Sequence, residues 1–194
     1  MTQLSSHQFP QVYADLGVSI PDLGCIMLDV ESFDVTRHVA NGEADLYYGT
    51  LPQLRYAQGA VAEKSAHVTL LYGLLEPGPA WQKHVDAVLE GWNILSVRIS
   101  DVSFFPSTAQ NEDYSVIVAK IEVSAELLEG HRRLQLLPHV DTFPDYTPHL
   151  TLAYIKNGPS GVEWAESALE KWLTTLSPLE GVELSISGIN YGGN

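Results

Sequence analysis

Residues 67–72 read HVTLLY and residues 149–154 read HLTLAY, so a chain with only seven histidines writes one pattern, His-x-Thr-Leu-x-Tyr, twice. Four of the six positions are identical. In a strand, side chains at i and i+2 share a face. His67 and Thr69 therefore point one way and Val68 and Leu70 the other, and His149 and Thr151 do the same against Leu150 and Leu152. A chain organised around this repeat has to form strands with one face for a core and one for polar chemistry. By the same parity Tyr72 and Tyr154 fall on the leucine side, unless a bulge or the strand end re-aims them. A tyrosine ending a buried strand usually packs its ring and wets its hydroxyl.

The flanking sequence supplies the remaining elements. "LGCIMLDV" (23–30) is a short apolar run that reads as a buried strand. The stretch from Glu31 to Lys64 holds a possible short helix at 33–40 and a Tyr-rich surface excursion that could overhang a site. After the first motif and the turn "EPGP", Trp81, His84, Val85, Val88, Leu89 and Trp92 make an amphipathic helical stripe. "NILSVRISDVSFF" and "YSVIVAKIEV" read as the two strands of a hairpin around the polar loop "PSTAQNED". Ser124 can cap a helix to about Leu137, which Gly130 weakens by roughly 1 kcal/mol. Beyond the second motif, Ser160 and Glu163 form a capping-box pair ahead of an apolar stripe from Trp164 to Leu176. "VELSISGI" is a last strand, followed by the Gly-rich tail "NYGGN". Each half runs motif strand, Gly/Pro turn, Trp-bearing helix and strand, which is an internal duplication in pattern. The expectation is an α+β fold in a single domain over residues 1–194, with the two motif strands meeting at its centre.

Composition narrows the function classes. Ten Lys and Arg against 24 Asp and Glu give a net charge of −14, which repels the backbone of long nucleic acids. A phosphorylated substrate would be small and held in a local pocket. Cys25 is the only cysteine, so an intramolecular disulfide and a cysteine-based zinc site are excluded, and it reads as a small core residue. The N-terminus lacks a basic region followed by an apolar one, and no window approaches the ~18 apolar residues of a membrane span. The reading is a soluble cytoplasmic protein.

Two imidazoles facing one pocket supply what phosphodiester cleavage needs without metal. One neutral histidine accepts a proton from the attacking hydroxyl or water, and one protonated histidine donates to the leaving oxygen. With ordinary pKa values near 6.5, both forms are populated at neutral pH. The neighbouring threonine hydroxyls can donate to the non-bridging phosphate oxygens. His139, Asp141, Asp145 and His149 crowd one loop, but their spacing matches no compact metal motif and leaves His67 unexplained. No G-x-S-x-G occurs for a serine hydrolase.

Paired H-x-[ST]-hydrophobic motifs about half a chain apart resemble the 2H phosphoesterase superfamily, which includes the 2′-5′ RNA ligase-like and cyclic phosphodiesterase proteins. The element order is similar over about residues 23 to 190. The resemblance implies a duplicated, bilobal α+β fold with two antiparallel sheets around a central cleft and flanking helices. It also implies metal-independent phosphodiester hydrolysis with no cofactor. Carried over by position, His67 and His149 are the catalytic pair, and Thr69 and Thr151 hold the phosphate, with the choice of acid and base left open. "HVTLLYGLL", with "EADLYYG" upstream, is similar to the phage-encoded branch, some of whose members degrade cyclic oligonucleotide signals of bacterial immunity (anti-CBASS activity); a phage protein of this kind would work in the host cytoplasm. Tyr72, Tyr154, Lys64, Lys156 and Tyr56 are the substrate-binding candidates. "GCIMLDV" lacks an aromatic platform for a base, which leaves Tyr47, Tyr48, Tyr56 or Tyr191 for that task. The expected substrate is a small cyclic nucleotide or oligonucleotide. The alternatives are a 2′,3′-cyclic phosphodiesterase on RNA ends and a protein that sequesters a nucleotide without cutting it.

Overall fold

Each stretch with strand character forms a strand. The computed structural model describes residues 23–34, 66–106, 114–141, 145–156, 170 and 176–192. They contain β1 (Gly24–Val30), β2 (His67–Leu74), a 3-10 turn (Gly78–Trp81) leading into α1 (Gln82–Val88), β3 (Ser96–Phe105), β4 (Tyr114–Ile121), α2 (Ala125–Leu134), β5 (His149–Lys156), a second 3-10 turn (Ser177–Leu179) and β6 (Glu183–Gly192). Of the helices expected at 33–40 and across 164–176, only Phe33, Asp34, Glu170 and Leu176 are among the described residues; Glu170 and Leu176 are helical, and Leu176 is buried. No helix among the described residues is long and apolar enough to cross a membrane.

All pairings are antiparallel, in the order β2-β1-β6-β3-β4-β5. Two separate sheets were expected, and one six-stranded sheet of two three-stranded halves is found. The join is short, with Ser96, Val97 and Arg98 of β3 opposite Ser185, Leu184 and Glu183 of β6. It exists because β6 runs on into the Gly-rich tail, so its later residues pair with β1 while its first three meet β3. The motif strands β2 and β5 are the two ends of the hydrogen-bonded order, yet they touch. The sheet therefore curls until its ends meet.

One face carries the core, with Ile26, Leu28, Val68, Leu70, Ile99, Ile117, Leu150 and Leu152 all fully buried. Ser124 caps α2 as its sequence position predicts, its hydroxyl accepting from Leu127 N at 3.1 Å. Gly130 has a packing reason as well as a helix cost. A Cβ there would meet the Trp92 indole, whose Nε1 donates to the Glu126 carbonyl at 2.8 Å, so α2 lies against that ring only because residue 130 is glycine.

Both motif strands break their alternation at the same place within the motif. Asp29 lies opposite His67 and Met27 opposite Thr69, but Ile26 lies opposite Leu71, so Leu70 has no partner. In the other half Lys120 lies opposite His149 and Val118 opposite Thr151, then Ile117 opposite Ala153, so Leu152 is skipped. Each bulge falls on the fourth residue of the motif. Strict alternation would place Leu71 among the polar side chains and drive the Tyr72 hydroxyl into the core. The bulge buries Leu70 and Leu71 together, and Leu152 and Ala153 together. Burying a leucine is worth about 1.5–3 kcal/mol, which exceeds the roughly 1 kcal/mol of a ladder hydrogen bond.

Around the first bulge, the backbone is held from outside the sheet. His131 Nδ1–H donates to the Leu70 carbonyl at 2.6 Å, and the Tyr146 hydroxyl donates to the Thr69 carbonyl at 3.2 Å. The two rings stack at 3.9 Å and 9°. Burial pushes the Tyr146 hydroxyl pKa well up. Just beyond, Gly73 has φ +103°, its carbonyl accepts from Val140 N at 2.8 Å, and a Cβ would collide with the Val140 carbonyl.

Two outcomes are expected. Gly91 also has positive φ, +72°, but open space around its Cβ position. Gly91→Ala should cost about 1–2 kcal/mol in urea unfolding and Gly73→Ala more than about 3 kcal/mol; equal losses would mean that the 139–140 segment yields freely. Burial also lowers the His131 pKa, against the opposing pull of the Leu70 carbonyl. The unfolded chain then takes up a proton below about pH 6.5 while the folded one does not, so stability falls as pH drops below that value. His131→Gln, which cannot titrate, should show a smaller fall between about pH 7 and pH 5; an unchanged fall would remove His131 from this account.

Candidate active site

The polar face is built by register. On β2 it carries His67 and Thr69, opposite Asp29 and Met27 of β1; on β5 it carries His149 and Thr151, opposite Lys120 and Val118 of β4. All four motif side chains are half-buried. Because the sheet curls and its ends touch, the two motif pairs come together. His67 lies near enough to His149 for its charge to act on it.

His149 is held on two sides. Its Nδ1–H donates to the Thr147 carbonyl at 2.8 Å, and its ring meets Phe105 edge-on at 4.8 Å and 90°. Since a carbonyl only accepts, the neutral ring carries its hydrogen on Nδ1 and keeps an open lone pair on Nε2. Burial lowers the His149 pKa, the Thr147 carbonyl partly opposes this, and the nearby His67 adds to the lowering. Such a ring rests neutral near pH 7 and can accept a proton.

The bulges overturn the parity expectation for the tyrosines. Tyr72 stands opposite Cys25 and Tyr154 opposite Val116, on the histidine face. Tyr72 is 42% exposed, whereas Tyr154 is packed down to 8%. The signal was present in the sequence as two consecutive apolar residues before each tyrosine, a run that alternation cannot accommodate. Tyr191 goes the other way: it lies opposite Ile26, packs against the core and donates its hydroxyl to Asp86 Oδ1 at 2.8 Å. It is not placed to stack a base over the motifs. Lys64, Tyr47, Tyr48 and Tyr56 lie outside the described residues, as does the side chain of Lys156 at the end of β5.

Two residues unremarked in the sequence border the motifs. Asp29 shares the face of His67 and accepts from Asn190 Nδ2 at 3.0 Å. It lines a cavity of about 470 Å³ with Ser32, Phe33, Asp34, Ala66 and Asn190, next to the first motif. In the loop that holds the bulge, His139 Nδ1 bonds the Leu137 carbonyl and its Nε2 lies 3.4 Å from Asp141. Among the described residues no three metal-ligating side chains converge. Of the loop residues His139, Asp141 and Asp145, His139 pairs with Leu74 at the end of β2.

A family model, the 2′-5′ RNA ligase superfamily, matches residues 48–190, well over half of the chain. Comparison with curated proteins finds no match. Among solved structures, Usb1 of Kluyveromyces marxianus is similar at 12% identity and TM-score 0.51, over 88% of this chain and 93% of that one. The same protein with uridine monophosphate is similar at 9% identity and TM-score 0.50, over 89% and 99%. At such identities the likeness concerns the fold alone. With both His-x-Thr pairs brought to one face of that fold, the chain belongs to the 2′-5′ RNA ligase superfamily, a group of 2H phosphoesterases.

Proposed function

We propose that this protein is a phosphodiesterase that cleaves a small nucleotide substrate by acid–base catalysis with His67 and His149, without a metal. The observation that supports it is the meeting of two His-x-Thr pairs carried by strands from opposite ends of the sheet, which touch. Proton removal from the nucleophile and proton delivery to the leaving oxygen each contribute about 10²–10⁴-fold. Thr69 and Thr151, beside the imidazoles, donate to the phosphate oxygens as charge develops. Of the two motif tyrosines, Tyr72 is exposed on the same face and able to reach a ligand, while Tyr154 is buried.

The net charge of −14 favours a compact substrate over a long polyanion, and so a cyclic nucleotide or cyclic oligonucleotide. Destruction of such signals would suit a phage counter-defence enzyme. A second reading, action on RNA ends, is supported by the name of the matching family and by the solved Usb1 structure with uridine monophosphate.

The test is product analysis by mass spectrometry in EDTA, with 3′,5′-cyclic mononucleotides, cyclic di- and trinucleotides, and RNA ending in a 2′,3′-cyclic phosphate. Linearised cyclic oligonucleotides over many turnovers would support the first substrate class, and turnover of RNA ends alone the second. Ligand depletion without product would mean sequestration instead. His67→Ala and His149→Ala should each lose at least about 10²-fold. Thr69→Ala and Thr151→Ala should lose less, up to a few kcal/mol of transition-state stabilisation. Full activity in either histidine variant, or none in EDTA, would overturn the metal-free two-histidine mechanism.

A further inference from the structure

The cavity beside the first motif is lined by two acidic residues, Asp29 and Asp34, together with Asn190, Ser32 and Phe33. No Lys, Arg or His is among the described residues that line it. Carboxylates without a cation repel a phosphate group, so this cavity is unsuited to the part of a nucleotide that the motif threonines would hold. Such a wall favours hydrogen-bond donors instead. The volume of about 470 Å³ falls within the range of small-molecule pockets, roughly 300–1,000 Å³.

Its polar wall is set by a hydrogen bond between two strands. Asn190 Nδ2 of β6 donates to Asp29 Oδ1 of β1 at 3.0 Å, and because a carboxylate only accepts, the bond fixes which way round the amide lies. An ionised carboxylate has about four lone-pair positions, and this bond takes one of them. β1 has no aromatic residue, but Phe33, three residues past its end, brings a half-buried ring to the lining. The cavity is also joined to the first motif. Ala66 in its lining directly precedes His67, and Asp29 lies opposite His67 in the pairing of β1 with β2.

Resting on the phosphodiesterase reading, we infer that this cavity is a base subsite that takes guanine, with the Asp29 carboxylate as the specificity-determining group. The bases differ in the donors along their pairing edges. Guanine sets N1–H and an N2 amino hydrogen side by side, and a carboxylate accepts both at once, one on each oxygen. Adenine and cytosine set a ring-nitrogen lone pair beside their amino group, and uracil sets a carbonyl on each side of its one N–H. Each of these turns a lone pair toward Asp29, which repels it. Phe33 is the apolar ring against which the base lies, and the attached phosphate extends toward His67 and Thr69.

The full chain is titrated by calorimetry with guanosine, inosine, adenosine, cytidine, uridine and xanthosine monophosphates, each as its 3′- and its 5′-phosphate. The guanosine compound should bind about 10- to 100-fold more tightly than those of adenosine, cytidine and uridine, the worth of one bidentate base contact. Inosine monophosphate lacks only the N2 amino group and should bind about tenfold more weakly than its guanosine counterpart. Asp29→Asn should lose the preference for guanosine and bind xanthosine monophosphate more tightly than guanosine monophosphate, because its amide N–H can meet the C2 carbonyl that xanthine has in place of the amino group. That gain also shows that the variant is folded. Equal affinity of the wild type for all bases, or an unchanged ranking in Asp29→Asn, overturns the assignment. A wild type that ignores the base but weakens about tenfold with the 2′-deoxy compounds would put ribose hydroxyls at Asp29, and overturns it as well. The two readings fail separately, since binding needs no turnover. A guanosine preference without product from the cyclic nucleotides or RNA ends overturns the phosphodiesterase reading alone, and turnover of those substrates with no base preference in binding overturns the guanine subsite alone.

Discussion

The joining of each motif tyrosine to the His-Thr face depends on one irregularity made twice. A strand that alternates strictly can aim His and Thr at a cleft, but the tyrosine three residues beyond the threonine then points into the core. Skipping Leu70 in β2 and Leu152 in β5 turns the motif into a single polar row of His, Thr and Tyr above a continuous apolar row. The energetic choice is local. Two adjacent buried apolar side chains outweigh one ladder bond, and the freed carbonyls near Leu70 find partners in His131 and Tyr146.

The bulges also bear on how the sheet ends are managed. β2 and β5 are terminal in the hydrogen-bonded order, and an uncovered terminal strand is a template for pairing with other chains. Here the outer side of β2 is occupied. Val140 bonds Gly73, His139 bridges Leu74, and His131 and Tyr146 take the carbonyls before them. These contacts come from α2 and the loop leading into β5, so one half of the duplication secures the other. The curl that joins the sheet ends is what unites the two motif pairs.

Which parts of this were legible in the sequence follows from the range of the interactions. The His-Thr faces were legible because period-two alternation is a property of the strand alone. The Ser124 cap was legible because its acceptor and donor lie three residues apart. The tyrosine faces were left between parity and a bulge, since whether a bulge forms is decided by what the neighbouring strand can pair. Gly130 was read only through helix propensity, because its reason lies in Trp92, far along the chain. The tail "NYGGN" did not look like strand, yet β1 offers it an edge, and Asn190 within it bonds Asp29. The single sheet in place of two rests on three residue pairs at the start of β6, which no local pattern marks.

A duplicated fold begins with two equivalent polar pairs, and here the strands beside them differ. The strand registers show where that difference can be written without disturbing the fold. Positions 29 and 120 lie on the middle strands β1 and β4, opposite the two histidines and away from the apolar face. A change of charge there leaves the core, the bulges and the motif untouched. Asp at one position and Lys at the other make the strands beside the two copies of the motif chemically different. The motif repeats one polar pair, and the neighbouring strand is what differs beside each copy.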